Sequence, residues 1–178
     1  MDAVHFLVDK VLPLLPEYTL DIVGAQAPQW LRELNNPQVN VVGEVERIAP
    51  FLRRGSVAVV PILSGGGSRL KVLEAMACGI PVVGTPFGVG GHDLIANKNV
   101  VLAESPQEFA AAIEKLENDR TFRQKVSVNA FAHVSQYRSL TSLSALLNGE
   151  FKTINSWATQ SVSVGHSVND NNPGIVEK

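Results

Sequence analysis

The stretch SVAVVPILSGGGSRLKVLEAMACGIPVV, residues 56–83, decides how the rest of the chain is read. It opens on a run, residues 56–62, that is apolar with little alternation, the composition of a strand covered on both faces. Three consecutive glycines, Gly65, Gly66 and Gly67, lead into a helical segment, residues 68–78, in which Val72, Leu73 and Met76 share one side. A second apolar strand follows at 80–83. Strand, glycine-rich loop, helix and strand make the repeating unit of a parallel α/β sheet, where ligands bind beyond the carboxyl ends of the strands.

Working outward, β-branched runs at 19–23, 39–42 and 99–102 predict three further strands, with helices at about 28–35 and 46–53 between them. The expected fold is a Rossmann-like, doubly wound parallel sheet. The chain begins on a helix, because Val4, Leu7, Val8, Val11, Leu12 and Leu15 recur at three- and four-residue steps until Pro13 and Pro16 intervene. A doubly wound domain ordinarily begins with a strand, so its first strand is expected to be absent from this chain. Downstream, Ser105-Pro106-Gln107-Glu108 is a capping box with proline at the first helical position, and Phe109, Ala112, Ile113 and Leu116 line one face of the helix it starts. A second helix is predicted at about 119–135 and a weaker one at 140–147. From about residue 156 to Lys178 the chain is Ser, Asn, Gly and Val without helical or strand period, which predicts a poorly ordered tail. The expected division is one domain over 1–150 and a polar tail over 151–178.

Composition narrows the function. With 178 residues, 45% hydrophobic and 18% charged, the chain is sized and composed as a single globular domain. Fifteen basic residues against seventeen acidic ones argue against a nucleic-acid partner. The single cysteine, Cys78, fits a reducing, cytoplasmic setting, and no apolar run approaches the roughly 20 residues of a transmembrane helix. His5, His92, His133 and His166 are scattered and show no metal-ligand spacing, so none is taken as a ligand; His92, just after Gly90-Gly91 in the loop following the 80–83 strand, has a place at the site only as the less favoured of two readings.

The candidate site starts at the glycine loop. Glycines allow close backbone approach, and a helix start offers free N–H groups and a positive partial charge that favour a phosphate; a flexible turn would use the same residues. Lys71, Glu74 and Cys78 share the polar side of the helix, and Glu74 lies about 7 to 9 Å along the axis, roughly the span from a diphosphate to ribose hydroxyls. The alternative is an ordinary i,i+3 ion pair between Lys71 and Glu74. Arg69 and Lys71 stand in the first turn, where cations oppose the helix dipole unless an anion is near.

The segment from Gly65 through Ser68, Arg69, Leu70, Lys71 and Glu74 to Val83 resembles the donor-site segment of GT-B-fold glycosyltransferases, most closely the retaining group called glycosyl transferases group 1 or family 4. The similarity extends upstream through Leu20-Asp21-Ile22-Val23-Gly24 and Val41-Val42-Gly43-Glu44-Val45, and downstream through the Gly88 to Gly91 turn to Tyr137. The resemblance implies that Glu74 holds the nucleotide ribose, that Gly65, Gly66, Gly67 and Ser68 meet diphosphate or donor sugar, and that Gly43, Glu44 and Val45 lie by the base. Many family members carry a carboxylate eight residues before this Glu; here that position is Gly66. The family's basic residues after the first strand have no counterpart, which leaves Arg69 and Lys71 for the diphosphate. The resemblance thus implies a donor-binding domain that moves a hexosyl unit from a nucleoside diphosphate sugar to a saccharide or lipid-linked acceptor. It would work opposite an N-terminal GT-B domain missing from this chain, with no further cofactor or metal. The chain alone is expected to be inactive, and its catalytic residues are unassigned. The alternatives are a non-catalytic nucleotide-sugar-binding module or remnant and half of a GT-B-fold sugar-nucleotide epimerase. A receiver-like domain would leave the glycine-rich helix start unexplained.

Overall fold

The structure is a computed structural model that describes residues 3–65, 69–137 and 161–166. The first helix, α1 (Ala3–Phe6), continues as a π turn over Leu7–Val11 and a 3-10 turn over Leu12–Leu14. Pro13 explains the change: it has no N–H to continue the α-helical ladder, and Leu12 donates instead to the Leu7 carbonyl five residues back. The predicted strands follow as β1 (Tyr18–Val23), β2 (Val39–Gly43), β3 (Val57–Val60), β4 (Val82–Gly84) and β5 (Val101–Leu102). Strand β3 is shorter than the apolar run that predicts it, because Pro61 cannot donate to a ladder. The helices at 28–35 and 46–53 contract to α2 (Gln29–Arg32) and α3 (Ala49–Arg54), while α4 (Leu70–Ala77) holds most of its predicted span.

Helix α4 ends in a Schellman turn. Gly79, at φ +75°, donates to Met76, and Ile80 donates to Ala75, both at 3.0 Å. A short helix, α5 (Pro86–Val89), follows β4, and α6 (Pro106–Asn118) and α7 (Arg120–Tyr137) complete the helices. The predicted capping box is present at α6: Glu108 N–H donates to Ser105 Oγ at 3.2 Å, and Glu108 Oε2 accepts from the Ser105 N–H at 3.0 Å. The expected helix at 140–147 lies outside the described residues.

The sheet order is β2-β1-β6-β3-β4-β5, where β6 is Ser161–His166. β1 and β2 pair in parallel, as do β3 with β4 and β4 with β5; β6 is antiparallel to both of its neighbours. The five parallel strands take positions 3, 2, 4, 5 and 6 of the doubly wound order 3-2-1-4-5-6, and β6 takes the central position 1. Of the stretch over 156–178 expected to be a poorly ordered tail, residues 161–166 are described, and they lie inside the sheet. The sequence signal was small: Ser161-Val162-Ser163-Val164 alternates, but over only two valines. By register, Val162 and Val164 share rows with Ile22 and Leu20 on one side and with Val59 and Val57 on the other.

One face of the sheet is covered by α1, its π and 3-10 continuation, and α6, with Leu7, Leu15, Leu20, Val57, Phe109 and Leu116 among the buried residues. The other packs Ala58, Val60 and Val82 against Leu52, Met76 and Ala130 from α3, α4 and α7. Coverage of both faces is the reason that all four residues of β3 are buried and apolar. Among the described residues, no helix is long and apolar enough to cross a membrane.

Candidate functional site

The parallel strands end along one edge, and the loops leaving them carry the predicted residues. After β2, Gly43 adopts φ +81°, and its carbonyl accepts from the Gly24 N–H at 2.8 Å, lacing together the ends of β1 and β2. Glu44 and Val45 continue from that turn. After β3, the chain passes through Gly65, at φ +127°, to Arg69, the N-cap of α4. Gly66, Gly67 and Ser68 lie outside the described residues. The Gly43 turn and the α4 start therefore share the carboxyl edge, separated in the sheet by β1 and β6.

Helix α4 has the sidedness its sequence predicts. Val72, Leu73, Ala75, Met76 and Ala77 are buried, and Lys71, Glu74 and Cys78 are intermediate in exposure. Burial lowers the pKa of Lys71, against the opposing pull of the Glu74 charge. Burial likewise raises that of Glu74, against the pull of Lys71. For both groups desolvation outweighs their mutual attraction, whereas a solvated surface ion pair would show the reverse. The Cys78 thiol is pushed up by burial, lowered by Arg53 and raised by Glu74, which places the carboxylate within electrostatic reach of it. Glu74 Oε2 is buried with no hydrogen-bond partner among the described residues. A buried acceptor left without a donor costs about 1–3 kcal/mol, and more when it is charged.

Arg69 and Lys71 are placed unequally. Arg69 Nε donates to the Phe87 carbonyl at 2.6 Å, and its guanidinium carbon sits 4.6 Å from the centre of the Phe87 ring, so α5 takes one donor and one face of the group. His92 Nε2 lies 3.3 Å from the Arg69 carbonyl oxygen, and His133 Nε2 lies 2.7 Å from the carbonyl of His92.

Residues 1–119 match the sequence profile of glycosyl transferases group 1. The chain belongs to that family. An uncharacterized glycosyltransferase of Methanocaldococcus jannaschii is 35% identical over 136 residues, which are 71% of this chain and 38% of that protein. Among solved structures, Anabaena Alr3699/HepE in complex with UDP and glucose superposes with a TM-score of 0.67 at 22% identity, over 78% of this chain and 41% of that one. The C-terminal domain of a glycosyl transferase group 1 family protein (LpcC) from Francisella tularensis gives 0.52 at 24% identity, over 59% and 56% respectively. The chain thus spans well under two thirds of the relatives it matches, and the two structural likenesses establish the Rossmann-like GT-B fold.

Within this group 1 glycosyltransferase chain, sequence reasoning missed Thr85. It is 2% exposed, its hydroxyl donates to the Ile62 carbonyl, and it accepts from the Gly88 N–H at 2.8 Å. A signal was available in Thr85-Pro86-Phe87-Gly88, where an N-cap threonine precedes proline at the first helical position.

Proposed function

We propose that the chain is the donor-binding domain of a cytoplasmic glycosyltransferase that moves a hexosyl unit from a nucleoside diphosphate sugar to a saccharide or lipid-linked acceptor. The acceptor site and the remaining catalytic groups come from a facing domain. Glu74 accepts the ribose hydroxyls, Lys71 and the backbone of residues 65–70 receive the diphosphate with Arg69 beside them, and residues 43–45 border the base. The observation that carries this reading is the buried, unpartnered Glu74 Oε2. An acceptor that costs free energy in the empty protein gains a donor when a hydroxyl arrives, so the cost becomes affinity. The lowered Lys71 pKa supports the same reading, because an incoming diphosphate would compensate a cation that burial disfavours. The HepE structure contains UDP, which makes UDP the first probe to try.

The test is calorimetric titration of the parent and Glu74→Ala with UDP and with its deoxyribose counterpart. Loss of a hydrogen bond to a charged group predicts that Glu74→Ala weakens UDP binding by about 1–3 kcal/mol and weakens binding of the deoxy ligand, which keeps only its 3′-hydroxyl, by less. If the variant binds both ligands as the parent does, Glu74 is only structural and the ribose assignment falls.

A further inference from the structure

The segments that enter and leave the glycine-rich loop are tied to one and the same turn. On the entering side, the Thr85 hydroxyl donates to the carbonyl of Ile62. On the leaving side, Arg69 donates through Nε to the carbonyl of Phe87 at 2.6 Å and stacks on its ring. The turn is itself fixed against β3. Thr85 N–H donates to the Val60 carbonyl at 3.2 Å, Thr85 Oγ1 accepts from Gly88 at 2.8 Å, and Val89 N–H returns to the Thr85 carbonyl at 3.1 Å. Gly88 is required there, since a Cβ would come within 2.5 Å of the Val60 carbonyl oxygen and 2.9 Å of Thr85 Oγ1. His92 adds a third tie at the Arg69 carbonyl, and His133 fastens it to α7.

We propose that residues 85–89 form a clasp that sets the separation between Ile62 and Arg69, and that Thr85 and Arg69 are positioning residues for donor binding. Six residues, 63–68, lie between those two ends. Holding both ends fixes the span that the connecting chain has to bridge, so Gly65 and the amides of Arg69 and Leu70 are set at one separation before a diphosphate arrives. The clasp also explains why Thr85 is polar although it is almost completely buried: its hydroxyl gives a bond to Ile62 and accepts one from Gly88, which carries the β3–β4 pairing beyond its last ladder pair, Val60 and Gly84. The role of Arg69 is correspondingly indirect, through Phe87. This inference rests on the donor-site reading and extends it to the residues that hold the site.

The experiment compares Thr85→Val, which keeps the shape and loses the hydroxyl, with Thr85→Ser, which keeps the hydroxyl. UDP affinity, thermal midpoint and hydrogen exchange at the amides of residues 63–65, 69 and 70 are measured together. Thr85→Val is expected to weaken UDP binding about tenfold and to speed exchange at those amides, while Thr85→Ser stays within about threefold of the parent. Exchange in α6 should not change. Arg69→Gln, made away from the core, is expected to act from the other end, with faster exchange at the same amides in the absence of UDP and a loss of UDP affinity. A phosphate contact alone would lower the affinity and leave those exchange rates as in the parent. Parent-like exchange and UDP binding in both Thr85→Val and Arg69→Gln overturn the clasp, and Arg69→Gln decides alone if Thr85→Val does not fold. A parent that does not bind UDP defeats the donor-site reading and the positioning role with it, while the exchange rates still decide whether the clasp exists.

Discussion

The two parallel parts of the sheet are held in different ways. β3, β4 and β5 pair directly with one another, and the helix and turn that build the candidate site, α4 and α5, lie between those strands in the chain. β1 and β2 pair with each other but share no ladder with β3; among the described residues their backbone connection runs through β6 alone. Side chains still cross the boundary, since Leu20 and Ile22 belong to the same buried cluster as Val57, Val59 and Val83. The first part is therefore assembled from contacts close in sequence, and the second is joined to it by β6, which lies far downstream of both β1 and β3, a pairing whose loop closure is costly and slow. The proposed donor contacts concentrate on the locally built part, and the Gly43 turn, on the other, is linked to it through β6.

The largest expected effect comes from breaking that join. Val164 pairs with Leu20 on one side and with Val57 on the other, so Val164→Pro would remove a backbone donor from the middle of the join. A proline inside a hydrogen-bonded element costs about 3 kcal/mol or more, which in a chain of this size lowers Tm by roughly 6–12 °C. Thermal unfolding followed by circular dichroism checks it. A single transition at the parent's temperature would mean that β6 is not what joins the two parts, and a split into two transitions would mean that the joined parts also fold separately.

The same contrast separates what was legible in the sequence from what was not. β1 to β5 and the helices α4, α6 and α7 could be placed because continuous apolar strands and helical periods are local signals, and the capping box at Ser105 and Glu108 fixed one boundary. Lys71 and Glu74 could be assigned to one helix side by periodicity alone, and family resemblance supplied their expected ligand. β6 was missed because a central strand of a parallel sheet is expected to be continuously apolar, and Ser161-Val162-Ser163-Val164 is not. The Thr85 and Arg69 ties were missed for a related reason: they join residues 23 and 18 apart in the chain, and nothing in either local stretch names the partner.

A smaller effect is expected at the start of α6, which follows β5 and packs on the face that both parts of the sheet share. Ser105→Ala removes the acceptor for the Glu108 N–H. The loss of an N-cap costs about 1 kcal/mol, or a Tm lower by roughly 2–4 °C. Because α6 packs against the shared face, the transition should shift without splitting. If it splits here and not with Val164→Pro, the join between the two parts is made by α6 rather than by β6.

The smallest effect is a slope rather than a step, and it belongs only to the locally built part. Burial raises the Glu74 pKa above its ordinary value of 4.5. A raised folded-state pKa contributes stability that is fully present below the unfolded value and is lost as pH rises through the folded one. Across that window the folded protein keeps a proton that the unfolded chain has already released, so the parent should lose stability relative to Glu74→Gln, whose side chain does not titrate. The Tm difference between variant and parent is thus expected to grow in favour of the variant as pH climbs from 4.5 and to level off once Glu74 is ionised in both states. UDP binding should move the opposite way, since only the carboxylate accepts from two ribose hydroxyls: parent affinity rises through the same window, and that of the Gln variant stays flat. Melting curves and titrations at matched pH values give both trends. A Tm difference that does not change with pH would show that Glu74 is solvated rather than buried, and would remove the unpartnered oxygen on which the ribose assignment depends.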